Sequence, residues 1–271
     1  MTTQSSSTTV GEVVVGFDGS PDAHGALDWG RHEAMARKAR LRVVVVVGFH
    51  DWAVQARDIL AASAATQWDV EVRPGDPRDV LTEASGPGSV IVVGSTGHSR
   101  VAGVLLGSVS QHLARHATGP VVVVRGDTER APGPVVVGVD GSPASQRALD
   151  FALAHAGTSD STVTAVYGWD ASMRKGTPLA GEVPAEVAHE TLEAERWLAE
   201  AVSGHAERYP DVKLDSAAVP RPVVPTLVDA STTAALLVVG SRGRGAVEGI
   251  LLGSVSQEVL HRAHCPVAIV P

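Results

Sequence analysis

The sequence predicts two α/β domains in tandem, each a five-stranded parallel sheet with helices on both faces. Three observations carry that prediction. The chain repeats itself, each half alternates short β-branched runs with helical stretches, and those runs are valine-rich on both faces, as strands covered from both sides must be. A length of 271 residues, 44% hydrophobic and 19% charged, can bury one large core or two ordinary ones.

The repeat is explicit. VVVGFDGSP at 13–21 returns as VVVGVDGSP at 135–143, and 92–124 aligns with 238–270 with 18 of 33 residues identical, including an unbroken LLGSVSQ. The seam lies near 125–134, where Gly126, Pro132, Gly133 and Pro134 suggest a linker. The expected boundaries are a disordered polar tail at 1–10, a first domain at 11–127 and a second at 128–271.

In the first half the strands are expected at 13–17, 43–47, 70–73, 90–93 and 121–124, and in the second at 135–139, 162–167, 213–219, 236–239 and 267–270. Ser20-Pro21 and Ser142-Pro143 place a capping hydroxyl before a proline suited to the first helical position. The halves differ in their second connection. Gly168 to Arg221 spans 53 positions against 27 from Gly48 to Gly75, a difference of 26, and the extra length holds an acidic helix with Glu186, Glu190, Glu193 and Glu200. Acids three and four apart share one exposed helix side, so a solvated face is expected rather than a metal site.

Composition excludes several classes. Residues 1–127 hold 11 Lys/Arg against 13 Asp/Glu, and 128–271 hold 11 against 17, so neither half carries the basic footprint of a nucleic-acid partner. The polar opening lacks the blocks of a signal peptide, and no run approaches the ~20 apolar residues of a membrane span. One cysteine, Cys265, permits neither a disulfide framework nor a Cys-based zinc site, and a cytoplasmic location is expected. His112 and His116 share a helix face but lack a nearby third ligand, so they are taken as surface histidines, and the five tryptophans, Trp197 among them, as packing residues.

The chemistry concentrates after each fourth strand, in GSTGHSRVAGVLLGSVS at 94–110 and GSRGRGAVEGILLGSVS at 240–256. Both fit Gly-x2-Gly-x9-Gly-Ser. Glycines let the backbone approach an anion closely and take positive φ, and Gly107-Ser108 and Gly253-Ser254 then open a helix whose unpaired N–H groups favour phosphate. Ser108, Ser110, Ser254 and Ser256 are expected to add hydroxyl donors. Asp18 and Asp140 end the first strands, and where strand order reverses between first and fourth strands that crevice is the expected ligand site. No Gly-x4-Gly-Lys-Ser/Thr occurs, and Gly243-Arg244-Gly245 follows the fourth strand rather than the first, which disfavours a P-loop NTPase or an NAD dehydrogenase.

On these motifs each half resembles a universal stress protein domain of the ATP-binding branch, so the chain resembles a tandem universal stress protein beyond its first ~10 residues. The resemblance implies a Rossmann-like (adenine nucleotide alpha hydrolase-like) sheet of order 3-2-1-4-5, bound ATP with Mg2+ or Mn2+ held through phosphates rather than by a protein metal site, and a regulatory role in stress survival or dormancy. By position it places nucleotide contacts on Gly16, Asp18, Gly48, Gly94, Gly97, Gly107, Ser108, Val109 and Ser110. In the second half they fall on Gly138, Asp140, Gly168, Gly240, Gly243, Gly253, Ser254, Val255 and Ser256.

Two departures bear on the site. Pro74-Gly75-Asp76-Pro77 matches a stretch common in the family, but Pro220-Arg221-Pro222-Val223 replaces it in the second half, so the adenine wall there is expected to differ. The short second connection of the first half leaves its site more open. Arg242 and Arg244 make the second loop the more cationic; the first has Thr96 and His98 at those places. No catalytic constellation emerges, because neither loop has a lysine or arginine common to both and Glu248 is matched by Ala102. Slow ATP turnover at best is expected, and a partner-binding scaffold with empty loops stays open as an alternative. The apolar fifth strands, at the sheet edge in a 3-2-1-4-5 order, suggest an intramolecular pseudo-dimer of the two halves; a homodimer and an unidentified protein partner are left open.

Overall fold

In this computed structural model the described residues are 11–46, 54, 57–58, 61, 68–97, 106–125, 132–169, 185–245 and 251–271. The chain divides into two compact units, Met1–Glu129 and Arg130–Pro271. The expected tail at 1–10 and most of the expected linker lie outside the described residues.

The first unit runs β1 (Glu12–Gly16), α1 (Pro21–Arg37), β2 (Arg40–Val46), β3 (Trp68–Arg73), α2 (Pro77–Glu83), β4 (Ser89–Gly94), α3 (Ser108–His116) and β5 (Val121–Val124). Its strands are parallel in the order β3-β2-β1-β4-β5, with Val15 registered against Val43 on one side and Val92 on the other. A Cβ at Gly30 of α1 would meet Val13 and Val15, whereas one at Gly16 would meet Leu81 of α2. Successive strand residues face opposite ways, so α1 and α2 cover opposite faces of the sheet. Val13, Val14, Val15, Val90, Ile91 and Val92 are fully buried, each stabilising the fold by about 1.5–3 kcal/mol relative to exposure.

The second unit repeats this plan with β6 (Val135–Gly138), α4 (Pro143–Ser159), β7 (Val163–Gly168), α5 (Ala185–Ala206), β8 (Leu214–Val219), α6 (Val223–Ala230), β9 (Leu236–Gly240), α7 (Ser254–Arg262) and β10 (Val267–Val270). The parallel order is β8-β7-β6-β9-β10, the 3-2-1-4-5 arrangement again. The long second connection supplies α5, of which Leu198, Val202 and His205 are buried. His205 Nδ1 lies 2.6 Å from Asp150 Oδ1, a polar tie between α5 and α4.

Helix ends follow the capping rules. Ser20 Oγ accepts from Ala23 N and Ser142 Oγ from Ser145 N, each at 3.2 Å, with proline next in the chain. Lys38 and Asp160 close these helices in the left-handed region at φ 54° and 51°. Strand boundaries differ most at β2, which begins at Arg40, three residues before the valine run. Arg42 bonds Glu12 of β1 at 2.8 Å and Glu71 of β3 at 3.2 Å, and these cross-strand ion pairs carry the ladder into polar sequence. Among the described residues no helix is long and apolar enough to cross a membrane.

Candidate functional site

In the second unit β6 and β9 are neighbours, with the chain continuing to β7 on one side and to β10 on the other, so their carboxyl ends diverge as a switch point requires. A cavity of about 450 Å³ opens there. Nine residues singled out in the second half, Gly138, Asp140, Gly168, Gly240, Gly243, Gly253, Ser254, Val255 and Ser256, line it together. Val139, Val223, Leu227 and Val239 add an apolar side, and Ser145, Tyr167, Arg242, Arg244 and Gly245 add polar and backbone surface.

The candidate anion-binding element is the start of α7. Its N-cap is Gly253, with no side-chain cap bond, in contrast to the serine caps of α1 and α4. First-turn amides left without a side-chain acceptor, at the positive end of the helix dipole, favour an oxyanion. Gly253 N itself donates to Ser241 O at 2.7 Å, which closes the loop back on its own beginning.

Two expectations about the loop are corrected. The described loop glycines do not take positive φ: Gly253 sits at φ −70° and Gly107 at −74°, and among the described residues positive-φ glycines are Gly19, Gly75 and Gly141. Lack of a side chain, not backbone handedness, is what Gly240 and Gly243 supply. A Cβ on Gly240 would lie 2.7 Å from Ala144 C, and one on Gly243 would lie 2.5 Å from Asp140 Oδ2. Nor do Ser110 and Ser256 turn hydroxyls outward. Both are buried, and Ser256 Oγ donates to Gly240 O at 2.7 Å while Ser110 Oγ donates to Gly107 O at 3.0 Å, so these hydroxyls brace the loops. Ser108 and Ser254 are exposed.

Asp140 organises the β6 end of the cavity. Its Oδ1 accepts from Ser142 N at 2.9 Å and its Oδ2 from Arg244 N at 3.0 Å. Burial works to raise its pKa, but the bonds from Ser142, Arg244 and Ser145 outweigh it, and the carboxylate is held below its ordinary range. Gly141 next to it has φ 78° and turns the chain so that Ser142 can reach back to Oδ1. Above this turn the Arg244 guanidinium lies over the Trp197 ring, 4.7 Å from its centroid, and Trp197 meets Tyr167 with ring centroids 4.7 Å apart. Asp140 is the one carboxylate among the lining residues, against the two guanidinium groups of Arg242 and Arg244.

The first unit has the same frame with different charges. Asp18 Oδ1 accepts from Ser20 N at 3.0 Å, Gly97 stands beside Asp18 with a Cβ position 2.7 Å from Oδ2, and Gly107 N donates to Ser95 O at 2.6 Å. Ser108 and Val109 open α3, whose glycine N-cap also has no side-chain bond. Gly16 makes room for Leu81, and Gly94 for the backbone of Asp22. Gly48, His98 and the middle of the first loop fall outside the described residues. Beneath this loop, where the second unit has Ala144, the buried Asp22 carboxylate accepts from Ser95 Oγ at 2.7 Å, Thr96 N at 3.0 Å and Thr96 Oγ1 at 2.7 Å. Pro74-Gly75-Asp76-Pro77 forms the cap of α2, in which Asp76 accepts from Arg78 N at 2.8 Å. At the matching place in the second unit Pro222 caps α6 without a side-chain bond, and Val223 and Leu227 of α6 face the cavity.

Comparison with known proteins settles the family. The universal stress protein family model matches residues 50–125 and 133–271. The chain belongs to the universal stress protein family. A universal stress protein of Mycobacterium tuberculosis strain CDC 1551 is 35% identical over 297 residues, covering 95% of this chain and 94% of that protein. Another from Mycolicibacterium smegmatis is 32% identical over 292 residues, with 95% and 96% covered. Among solved structures, a functionally unknown protein of Pseudomonas aeruginosa PAO1 superposes with a TM-score of 0.71 at 16% identity over 97% of this chain and 93% of that one. A universal stress protein of Archaeoglobus fulgidus DSM 4304 gives 0.62 at 19% identity over 96% and 98%, a likeness of fold.

Within this universal stress protein frame, sequence reading passed over the apolar wall of α6 and the aromatic pair behind Arg244. Val223 and Leu227 follow a proline-rich stretch without motif character. Trp197 lies in an acidic helix whose face is visible only once α5 is folded. The available signal was its place in the connection that the second half does not share with the first.

Proposed function

We propose that this chain is an ATP-binding regulatory protein of the stress response, in which nucleotide occupancy of the second-half cavity sets conformation or partner choice. The observation that carries this reading is the glycine-capped start of α7 opening onto a cavity lined by Arg242, Arg244 and Asp140 at the strand ends. The uncapped amides and two guanidinium groups suit phosphates, Asp140 is an acceptor for a ribose or base, and Val139, Val223 and Leu227 suit the flat apolar face of a purine. One lining carboxylate is too few for a protein cage around a divalent ion, so Mg2+ or Mn2+ would be carried by the phosphates. No lining residue is placed as a general base, and turnover, where present, would be slow.

Acid or heat release of small molecules from the purified chain tests the proposal. Co-purified ATP supports it, ADP with measurable turnover favours a slow ATPase, and no nucleotide with no binding in titration favours a scaffold. Pairing of the two halves through their fifth strands, expected from sequence, belongs to the same proposal. Expressing 1–127 and 128–271 separately tests it, because fragments that remain folded monomers when mixed at tens of micromolar would remove that expectation.

A further inference from the structure

We propose that Arg244 is the residue by which the second cavity distinguishes a triphosphate from a monophosphate, and that Trp197 holds it in position to do so. The inference deepens the ATP reading and rests on it for the identity of the nucleotide. Four observations carry it. Arg244 lines the cavity. Its guanidinium lies over the indole of Trp197 at 4.7 Å. Gly141 stands beside both groups, where a Cβ would come 2.5 Å from Arg244 Nη2 and 2.8 Å from Trp197 Cζ2, so a side chain at this turn would press on the stacked pair. Its backbone is fixed by the N–H bond to Asp140 Oδ2 at 3.0 Å.

A guanidinium stacked on a ring uses its face and keeps its in-plane N–H groups for an acceptor. Among the described residues no carboxylate pairs with this one. It is therefore a charged donor set, ordered before any ligand arrives, at the edge of a cavity whose phosphate anchor is the start of α7. The α7 amides would hold one phosphate whatever the ligand. A cation beyond them adds affinity only when further phosphates extend from the first. Trp197 belongs to the long connection of the second half, and the first-loop counterpart of Arg244 is His98, an imidazole in place of the guanidinium fork. Charge reading of this kind is thus a property of the second half.

The test titrates the intact chain calorimetrically with ATP, AMP and inorganic tripolyphosphate, as wild type and as Arg244→Gln, Arg244→Lys and Trp197→Leu, with thermal unfolding as the check of folding. Arg244→Gln is expected to weaken ATP and tripolyphosphate about tenfold or more while AMP changes less than about threefold. Trp197→Leu is expected to show the same pattern at smaller size, and Arg244→Lys to recover part of the ATP preference. An ATP-to-AMP affinity ratio unchanged in Arg244→Gln overturns the proposal, and a ratio unchanged in Trp197→Leu overturns the positioning role. If the wild type takes tripolyphosphate but neither nucleotide, the ATP reading fails, and loss or retention of tripolyphosphate in Arg244→Gln still decides the arginine's role. Binding of none of the three by the wild type ends both.

Discussion

The backbone N–H of Arg244 donates to Oδ2 of Asp140 at 3.0 Å, joining the glycine loop after β9 to the end of β6 across 104 residues of sequence. The same carboxylate takes Ser142 N on its other oxygen at 2.9 Å, so one side chain ties the turn into α4 to the loop.

Asp140→Asn should therefore loosen both connections, at a cost of about 1–3 kcal/mol at neutral pH. The folded-state pKa of Asp140 is depressed, so its contribution is complete above the unfolded carboxylate value of ~3.9 and is lost as the pH falls through the lower folded value. Urea unfolding of the two proteins should give a constant difference from pH 7 to about pH 5 that shrinks below about pH 4. A difference already falling near pH 6 would assign the effect to another group.

Glycine substitutions should separate binding from folding. A Cβ at Gly253 meets Ser241 O at 3.4 Å, an ordinary contact, so Gly253→Ala should fold with a loss of under about 1 kcal/mol. A bulkier Gly253→Val should remove one ATP site in calorimetry while the fold persists. Gly240→Ala, by contrast, presses on the backbone of Ala144 and should cost about 1–3 kcal/mol in denaturant unfolding.

The first unit offers its own test in Asp22. Removing its carboxylate by Asp22→Ala leaves Ser95 Oγ, Thr96 N and Thr96 Oγ1 without that acceptor, and should destabilise the chain by about 2–3 kcal/mol. The alanine is native at the matching Ala144, so the cost measures how far the two loops have come to depend on different supports. Unchanged thermal unfolding would place those three donors on water instead.

Nucleotide choice should favour adenine. Asp140 is the one acidic side chain of the lining and the two arginines are assigned to phosphate, so discrimination is expected to rest on backbone contacts at the ends of the strands. GTP should compete weakly with a labelled ATP analogue, and equal displacement by GTP would count against this account of specificity.

Most of the fold was legible because duplication doubles every signal. Val-rich runs, Ser-Pro starts and the glycine spacing occur twice, and a strand order taken from the motif resemblance recurs in both units. What was not legible depends on atoms brought together from distant sequence. That Ser110 and Ser256 turn inward follows from carbonyls of the preceding strand end and loop. The early start of β2 follows from Arg42 finding carboxylates on two neighbouring strands. The Arg244–Trp197 pair needs a turn glycine beside it, a loop arginine and a tryptophan from an inserted helix, which no local pattern connects.

The anion receptor proposed at the start of α7 would be made of main-chain amides behind a glycine cap. Truncating side chains one at a time would pass over it, since every residue type except proline supplies the same N–H. Such a receptor tolerates broad drift in the residues that surround it and fails when atoms are added where glycine left space or when a proline removes one of its donors. Loss of the site in a relative would thus show as gained bulk at the matching glycine or a proline in the first turn, not as a missing polar side chain.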